Sequence, residues 1–131
     1  MTNDTMTIRE MCDAFDVTPR TLRFYEQKEL LFPIRQGTRR LFTRRDRARL
    51  KLILRGKRFG VSLEDIRQLL DLYDRDGGQA AQLTRSYEIA QARLEDMERQ
   101  RRELDETIAE LKAQMAWGEE VLATFRRDVA A

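Results

Sequence analysis

The chain has 131 residues, 41% of them hydrophobic and 37% charged, with 25 Lys and Arg against 23 Asp and Glu. One Cys and no His exclude an internal disulfide, His-based acid–base catalysis and His-containing metal sites, and a lone thiol does not make a zinc or copper centre within one chain. No apolar run approaches the ~20 residues of a membrane span, and Met1–Met6 lacks the basic and apolar regions of a secretion signal, so a cytoplasmic protein without membrane association, metal or cofactor is expected.

In chain order, Thr7-Ile-Arg-Glu10 is a capping box, with a hydroxyl at the N-cap and Glu at N3. Ile8, Met11, Cys12 and Phe15 then fall on one face of a short helix. Cys12 belongs to this stripe as a small buried hydrophobe rather than as a ligand. Asp16-Val17 interrupts, and Thr18-Pro19 restarts a helix to about Lys28, with the hydroxyl as cap and Pro at N1. Leu22 and Tyr25 face inward, while Arg20, Thr21 and Arg23 project outward. Two short helices joined by a tight turn, the second rich in Arg, predict a helix-turn-helix.

Pro33 ends the segment after the second helix, and Ile34–Phe42 predicts a two-stranded ribbon turning at Gln36-Gly37-Thr38. Thr43-Arg-Arg-Asp46 opens a third helix with Leu50, Ile53 and Leu54 inward, stopped by Gly60. Ser62-Leu-Glu-Asp65 caps a fourth, whose buried stripe is Ile66, Leu69 and Leu70. Within this region, Arg35–Arg58 holds eleven basic residues against one acid, Asp46. A fold without an anionic partner would strain under that self-repulsion, so the block is the footprint of a polyanion, nucleic acid before membrane. Residues 1–72 carry a net +6 and residues 73–131 a net −4.

Asp74–Gly78 is a break, dividing a first domain at 1–74 from the rest. Beyond it, positions 83, 87, 90, 94, 97, 101, 104, 108, 111, 115, 118, 122 and 125 alternate steps of four and three, and eleven of the thirteen are apolar. Leu83, Tyr87, Leu94, Met97, Leu104, Ile108, Leu111 and Met115 form the seam of a coiled coil over residues 79–117. Arg101 sits in that seam at a cost in stability that fixes register. Gly118 is expected to weaken or end the helix and leave a short tail, 118–131. A helix of 39 residues, roughly 58 Å long, exposes its stripe unless a partner covers it, and a second copy of the chain is the simplest partner.

These features together resemble the MerR family of bacterial transcription regulators. The resemblance is carried by Thr7-Ile-Arg-Glu10, Val17-Thr-Pro-Arg-Thr-Leu-Arg-Phe-Tyr-Glu26, Leu30-Leu31, Pro33, Arg40-Leu-Phe42 and Phe59-Gly-Val-Ser-Leu-Glu-Asp-Ile66. It covers residues 6–74 almost continuously. It implies a mainly α fold, a winged helix-turn-helix with a small β-ribbon wing, followed by a long antiparallel coiled-coil dimerisation helix. It also implies a homodimer on a palindrome of double-stranded promoter DNA, acting on RNA polymerase by distorting the DNA centre. A looser similarity of Asp46–Arg58, Leu72-Tyr-Asp74 and Gly77-Gly78 points to the branch controlling leucine, isovalerate and acyl-CoA catabolism, with a small acyl-type effector. The family's wing commonly reads Asn-Gly-Tyr-Arg; here it reads Gln36-Gly-Thr-Arg-Arg40, with Arg39 where the Tyr stands.

Arg20 and Arg23 lie at the end of a recognition helix that meets base edges, where Arg pairs with guanine. Arg20 serves either base or phosphate, whereas the family pattern makes Arg23 a base or near-base contact. Thr18 caps the helix and is placed to bond phosphate. Tyr25 aligns with a DNA-contacting Tyr of the family and is also a core aromatic, two roles that are compatible. Arg35, Arg39 and Arg40 are expected to clamp phosphate from the first wing, and Lys57 matches a phosphate contact of a second wing. Arg44, Arg45, Arg47, Arg49, Lys51 and Arg58 add positive field. Trp117, Leu122 and Phe125 either pack on the partner's DNA-binding half or shape a small apolar pocket. The competing reading is a non-specific architectural DNA-binding protein, against which the specific helix-turn-helix string argues. Nothing supports an enzyme: there is no His, no metal constellation and no Gly-rich phosphate loop.

Overall fold

Four hydroxyl side chains start the first four helices in the computed structural model, which describes residues 4–73 and 78–130. Thr7 caps α1 (Ile8–Phe15) in a complete capping box with Glu10. Thr18 caps α2 (Pro19–Gln27), with Pro19 in the first turn. Thr43 caps α3 (Arg44–Arg58), again as a complete box, with Asp46 at N3. Ser62 Oγ accepts from Asp65 N at 3.1 Å at the start of α4 (Leu63–Tyr73). Each such cap contributes about 1 kcal/mol by satisfying amides that the helix leaves open.

The helix ends are built as deliberately as the starts. Gly60, at φ 76°, follows α3, and Val61 N donates to Gly56 O while Gly60 N donates to Lys57 O. This is the paired bonding of a Schellman end. The end of α2 has the same pattern, Leu30 N to Tyr25 O and Glu29 N to Glu26 O, with Glu29 at φ 60°. After α1, Asp16 adopts φ 54° and Val17 N reaches Cys12 O, which makes the tight turn between the first two helices.

The expected two-stranded ribbon is β2 (Ile34–Gln36) with β3 (Arg39–Phe42), turning through Gly37 at φ 62°. A third strand, β1 (Met6–Thr7), extends it. The antiparallel sheet has the order β1-β3-β2, with Met6 opposite Phe42 and Arg35 opposite Arg40. The two residues of β1 double as the entry to α1, which is why helix capping is their visible sequence signal.

Below these elements Met11, Leu22, Tyr25, Leu30, Leu31, Phe42, Leu50, Ile53, Ile66 and Leu70 form one buried cluster. Each large apolar side chain so buried contributes roughly 1.5–3 kcal/mol. Leu54 and Leu69 are only partly covered, at the rim of their helical stripes.

The last helix, α5, runs unbroken from Gly78 to Ala130. The helix therefore runs on past the expected bound at 117 and does not end at Gly118: residues 119–130 of the expected short tail are helical. One glycine removes no backbone hydrogen bond and costs only ~1 kcal/mol in a helix, too little to stop a helix with good formers on both sides. The chain divides into two compact units, Met1–Ala90 and Gln91–Ala131, so the border lies within α5. The sequence boundary at 74–78 falls mostly on residues 74–77, outside the described residues. In the first unit, the opening turns of α5 pack on α4: Gln82 Nε2 donates to Leu69 O at 2.8 Å, Arg85 lies beside Gln68 and Asp65, and Ile89 is buried.

Asp46 ties these local choices together. Its carboxylate is 2% exposed and accepts from Phe32 N at 2.9 Å, Thr43 N at 3.0 Å and Thr43 Oγ1 at 3.1 Å. Asp46→Ala leaves these donors without the carboxylate and is expected to cost about 2–4 kcal/mol, the sum of a lost cap and unsatisfied buried groups. Urea denaturation of the variant against wild type measures it.

Candidate nucleic-acid interface

The exposed side of α2 is cationic because its inner side is not. Leu22 and Tyr25 face the core, which leaves Arg20 and Arg23, three residues apart, on the solvent side. Thr18 is exposed, but its hydroxyl is engaged: Oγ1 accepts from Thr21 N at 3.2 Å and shares a hydrogen bond with Thr21 Oγ1 at 2.9 Å. Phe24 stays 42% exposed beneath Lys28, whose Nζ lies 5.6 Å from its ring centre. Tyr25 is 5% exposed, and burial pushes its phenol up from the ordinary value of 10.0. The ring is thus part of the core.

The ribbon β2–β3 is fastened to α2 by one residue to which the sequence patterns give no role. Glu26 Oε1 accepts from Arg40 Nε at 2.6 Å, and Oε2 accepts from Arg35 Nη2 at 3.0 Å and Nε at 3.3 Å. Two of the three wing arginines are therefore held by a carboxylate at the end of the helix that carries Arg20 and Arg23. Arg39 remains exposed on the strand. Partial burial opposes ionisation of Glu26, but the hydrogen bonds from Arg40 and Arg35 outweigh it and hold the carboxyl below the ordinary 4.5.

The basic block is not uniformly a surface. Arg49, expected to add field, is 3% exposed. Its Nε donates to Leu30 O at 2.7 Å, and its guanidinium lies 5.3 Å from the Phe32 ring centre. It braces the loop after α2 from within. Arg44 pairs with Asp4 Oδ1 at 3.2 Å, and Arg47 Nη1 donates to Asp4 O at 2.7 Å, tying α3 to the segment before β1. Arg67 of α4 donates to Lys28 O. Lys51 and Arg55 are exposed and, with Arg44, Arg47, Ala48, Leu52 and Gln82, line an open depression of about 380 Å³. Lys57 and Arg58 are exposed at the far end of α3, beside the turn into α4. The structure thus joins Arg20, Arg23, Arg35 and Arg40 through α2 and Glu26.

Along α5 the eight seam residues Leu83, Tyr87, Leu94, Met97, Leu104, Ile108, Leu111 and Met115 are each 41–73% exposed. Trp117, Leu122 and Phe125 are exposed as well. Cys12 is partly buried, and desolvation together with the Asp13 charge pushes its thiol up from 9.0. Among the described residues no group of three or more His, Cys, Asp or Glu is arranged to hold a metal ion, and no helix is long and apolar enough to cross a membrane.

Comparison with known proteins gives a consistent picture. The family described as MerR HTH family regulatory protein matches residues 6–73, and that described as MerR, DNA binding matches residues 47–114. The HTH-type transcriptional regulator ZntR of Escherichia coli (strain K12) is 36% identical over 93 residues, 70% of this chain and 64% of that protein. The chain thus spans less than two thirds of ZntR. The HTH-type transcriptional regulator HmrR of Rhizobium leguminosarum bv. viciae is 35% identical over 77% of each chain. Among solved structures, HiNmlR, a MerR family regulator lacking the sensor domain and bound to promoter DNA, superposes with a TM-score of 0.60 at 26% identity, over 77% of this chain and 79% of that one.

The Glu26 pairs make stability depend on pH in a defined direction. Because the folded-state carboxyl is held below 4.5, its stabilisation is present above that value and is lost as pH falls through the lower folded value. Glu26→Gln is expected to flatten this acid limb. It should cost about 0.5–1 kcal/mol at neutral pH, a range discounted because Arg35 is half exposed. Denaturant titrations at a series of pH values test both statements.

Proposed function

Because the chain belongs to the MerR family of helix-turn-helix transcription regulators, we propose that it acts as a homodimer that binds a palindromic promoter site and distorts its centre to control transcription by RNA polymerase. The observation that carries this reading is the apolar stripe of α5, exposed from Leu83 to Met115 on the same chain as a helix-turn-helix with outward Arg20 and Arg23. Water contact along the stripe is unfavourable, and pairing with a second copy removes it at roughly 1.5–3 kcal/mol per well-buried Leu. An antiparallel pair relates the two helix-turn-helix units by a two-fold axis, and a two-fold protein matches a palindrome. Joining two weak half-site interactions raises affinity by roughly 10²–10⁴ without a new contact.

In this reading Arg23, with Arg20 beside it, meets base edges, while Arg35, Arg39, Arg40 and Lys57 hold phosphate. Contacts on the flanking half-sites stabilise a deformed centre that the protein barely touches. A role in leucine, isovalerate or other acyl-CoA breakdown, with an acyl-type effector, is supported by the resemblance of residues 46–58, 72–74 and 77–78.

Leu104→Asp combined with Ile108→Asp is expected to give monomers that lose the palindrome but keep weak, salt-sensitive binding to any duplex. Sedimentation equilibrium and a salt-controlled titration decide the matter, and a monomer holding the full site at wild-type affinity overturns the proposal. Arg23→Ala is expected to cost about 1–3 kcal/mol on the cognate site and to relax selectivity at one base pair, whereas Lys57→Ala weakens all duplexes alike. Equal losses from both variants on cognate and random duplex would overturn this division of roles.

A further inference from the structure

The register of the wing creates a conflict that one carboxylate resolves. Arg35 and Arg40 stand directly opposite each other on β2 and β3, an arrangement of like charges that weakens a strand pair. Glu26, at the last turn of α2, accepts from both, with one oxygen for each guanidinium. The two arginines are not equivalent. Arg40 is 22% exposed and lies at 2.6 Å; Arg35 is 52% exposed and lies at 3.0 Å. A carboxylate and a phosphate offer a guanidinium the same kind of paired oxygen acceptors.

We propose that Glu26 is a positioning residue that sets DNA specificity: it occupies the wing arginines as an internal stand-in for a phosphate, and Arg35 exchanges it for DNA while Arg40 keeps its Nε on Glu26 as a strut and offers phosphate only its remaining N–H groups. The proposal rests on the reading of the wing as a phosphate-binding element. Non-specific binding is phosphate-driven, so a cation already neutralised by Glu26 gains little from a badly placed phosphate. A phosphate fixed by a correctly docked recognition helix competes on better terms. Glu26 thereby lowers affinity for random DNA more than for a true site. An exposed ion pair is weak enough for the exchange to proceed, and Arg40 keeps the wing attached to α2 while Arg35 is away.

The test uses the full chain with Glu26→Gln, Arg35→Gln and both together. Each protein is titrated over a salt series against a random-sequence duplex and against a duplex that the wild-type protein enriches from a randomised library. Thermal unfolding is followed in parallel. Glu26→Gln is expected to bind the random duplex about two- to fivefold tighter, the range of one exposed ion pair. The plot of log K against log salt should steepen by up to about 0.9, the contribution of one added phosphate contact. Affinity for the enriched duplex should change less, so the ratio falls. Adding Arg35→Gln should abolish the gain, and Arg35→Gln alone should cost more on the enriched duplex than on the random one. A Glu26→Gln protein that binds both duplexes equally more weakly, with a shallower salt slope, would make Glu26 a structural brace only and overturn the proposal. So would a double variant that keeps the gain. Failure of the wild type to enrich any sequence would overturn the promoter reading itself, whereas wild-type discrimination retained by Glu26→Gln would overturn this inference alone.

Discussion

A carboxylate in the middle of a cationic segment sets the frame of the first unit. Asp46 closes the capping box of α3 and takes the amide of Phe32, and three residues on Arg49 takes the carbonyl of Leu30. Between them they satisfy the backbone of the stretch that leaves α2 and leads to β2. That stretch is otherwise irregular, and buried backbone groups without partners are costly. Fixing it fixes where the chain emerges at Ile34, hence where the wing stands relative to α2. The buried Leu30 and Leu31 complete the attachment from the apolar side.

The same residues explain how so positive a segment folds. Self-repulsion in Arg35–Arg58 is relieved locally rather than by a diffuse counter-charge. Asp46 lies inside it, Glu26 covers Arg35 and Arg40, the Asp4 carboxylate covers Arg44, and Arg47 donates to the Asp4 carbonyl. Arg49 is turned inward against a carbonyl and a ring, a use for which the planar guanidinium is better suited than an ammonium. The sequence count of cations therefore overstates the field outside the protein. Arg20, Arg23, Arg39, Lys51, Arg55, Lys57 and Arg58 remain exposed.

What was legible in the sequence was local. Thr7, Thr18, Thr43 and Ser62 announce helices because a cap reaches only three residues ahead, and Gly37 and Gly60 announce turns because they adopt positive φ. What was hidden depended on distance or context. Glu26 meets Arg35 and Arg40 across 9 and 14 positions, with no periodic signal to link them. Asp16 and Glu29 take the left-handed conformation usually given to glycine, so their helix ends lack the expected marker. Ile89 lies off the seam and is buried within the first unit, which the heptad spacing does not announce. The outward arginines of α2 were readable from the helical spacing of Leu22 and Tyr25. That Tyr25 belongs to the core so completely is a result of packing alone.

The uninterrupted course of α5 through Gly118 has a mechanical consequence. Within the single chain a side chain at this position would meet nothing within 4 Å, and the helix carries the glycine's penalty of ~1 kcal/mol relative to Ala. The backbone there opens more cheaply than in the turns on either side. The last three turns, with Leu122, Phe125 and Val129 exposed, are thus joined to the rest through a soft point in an otherwise stiff rod.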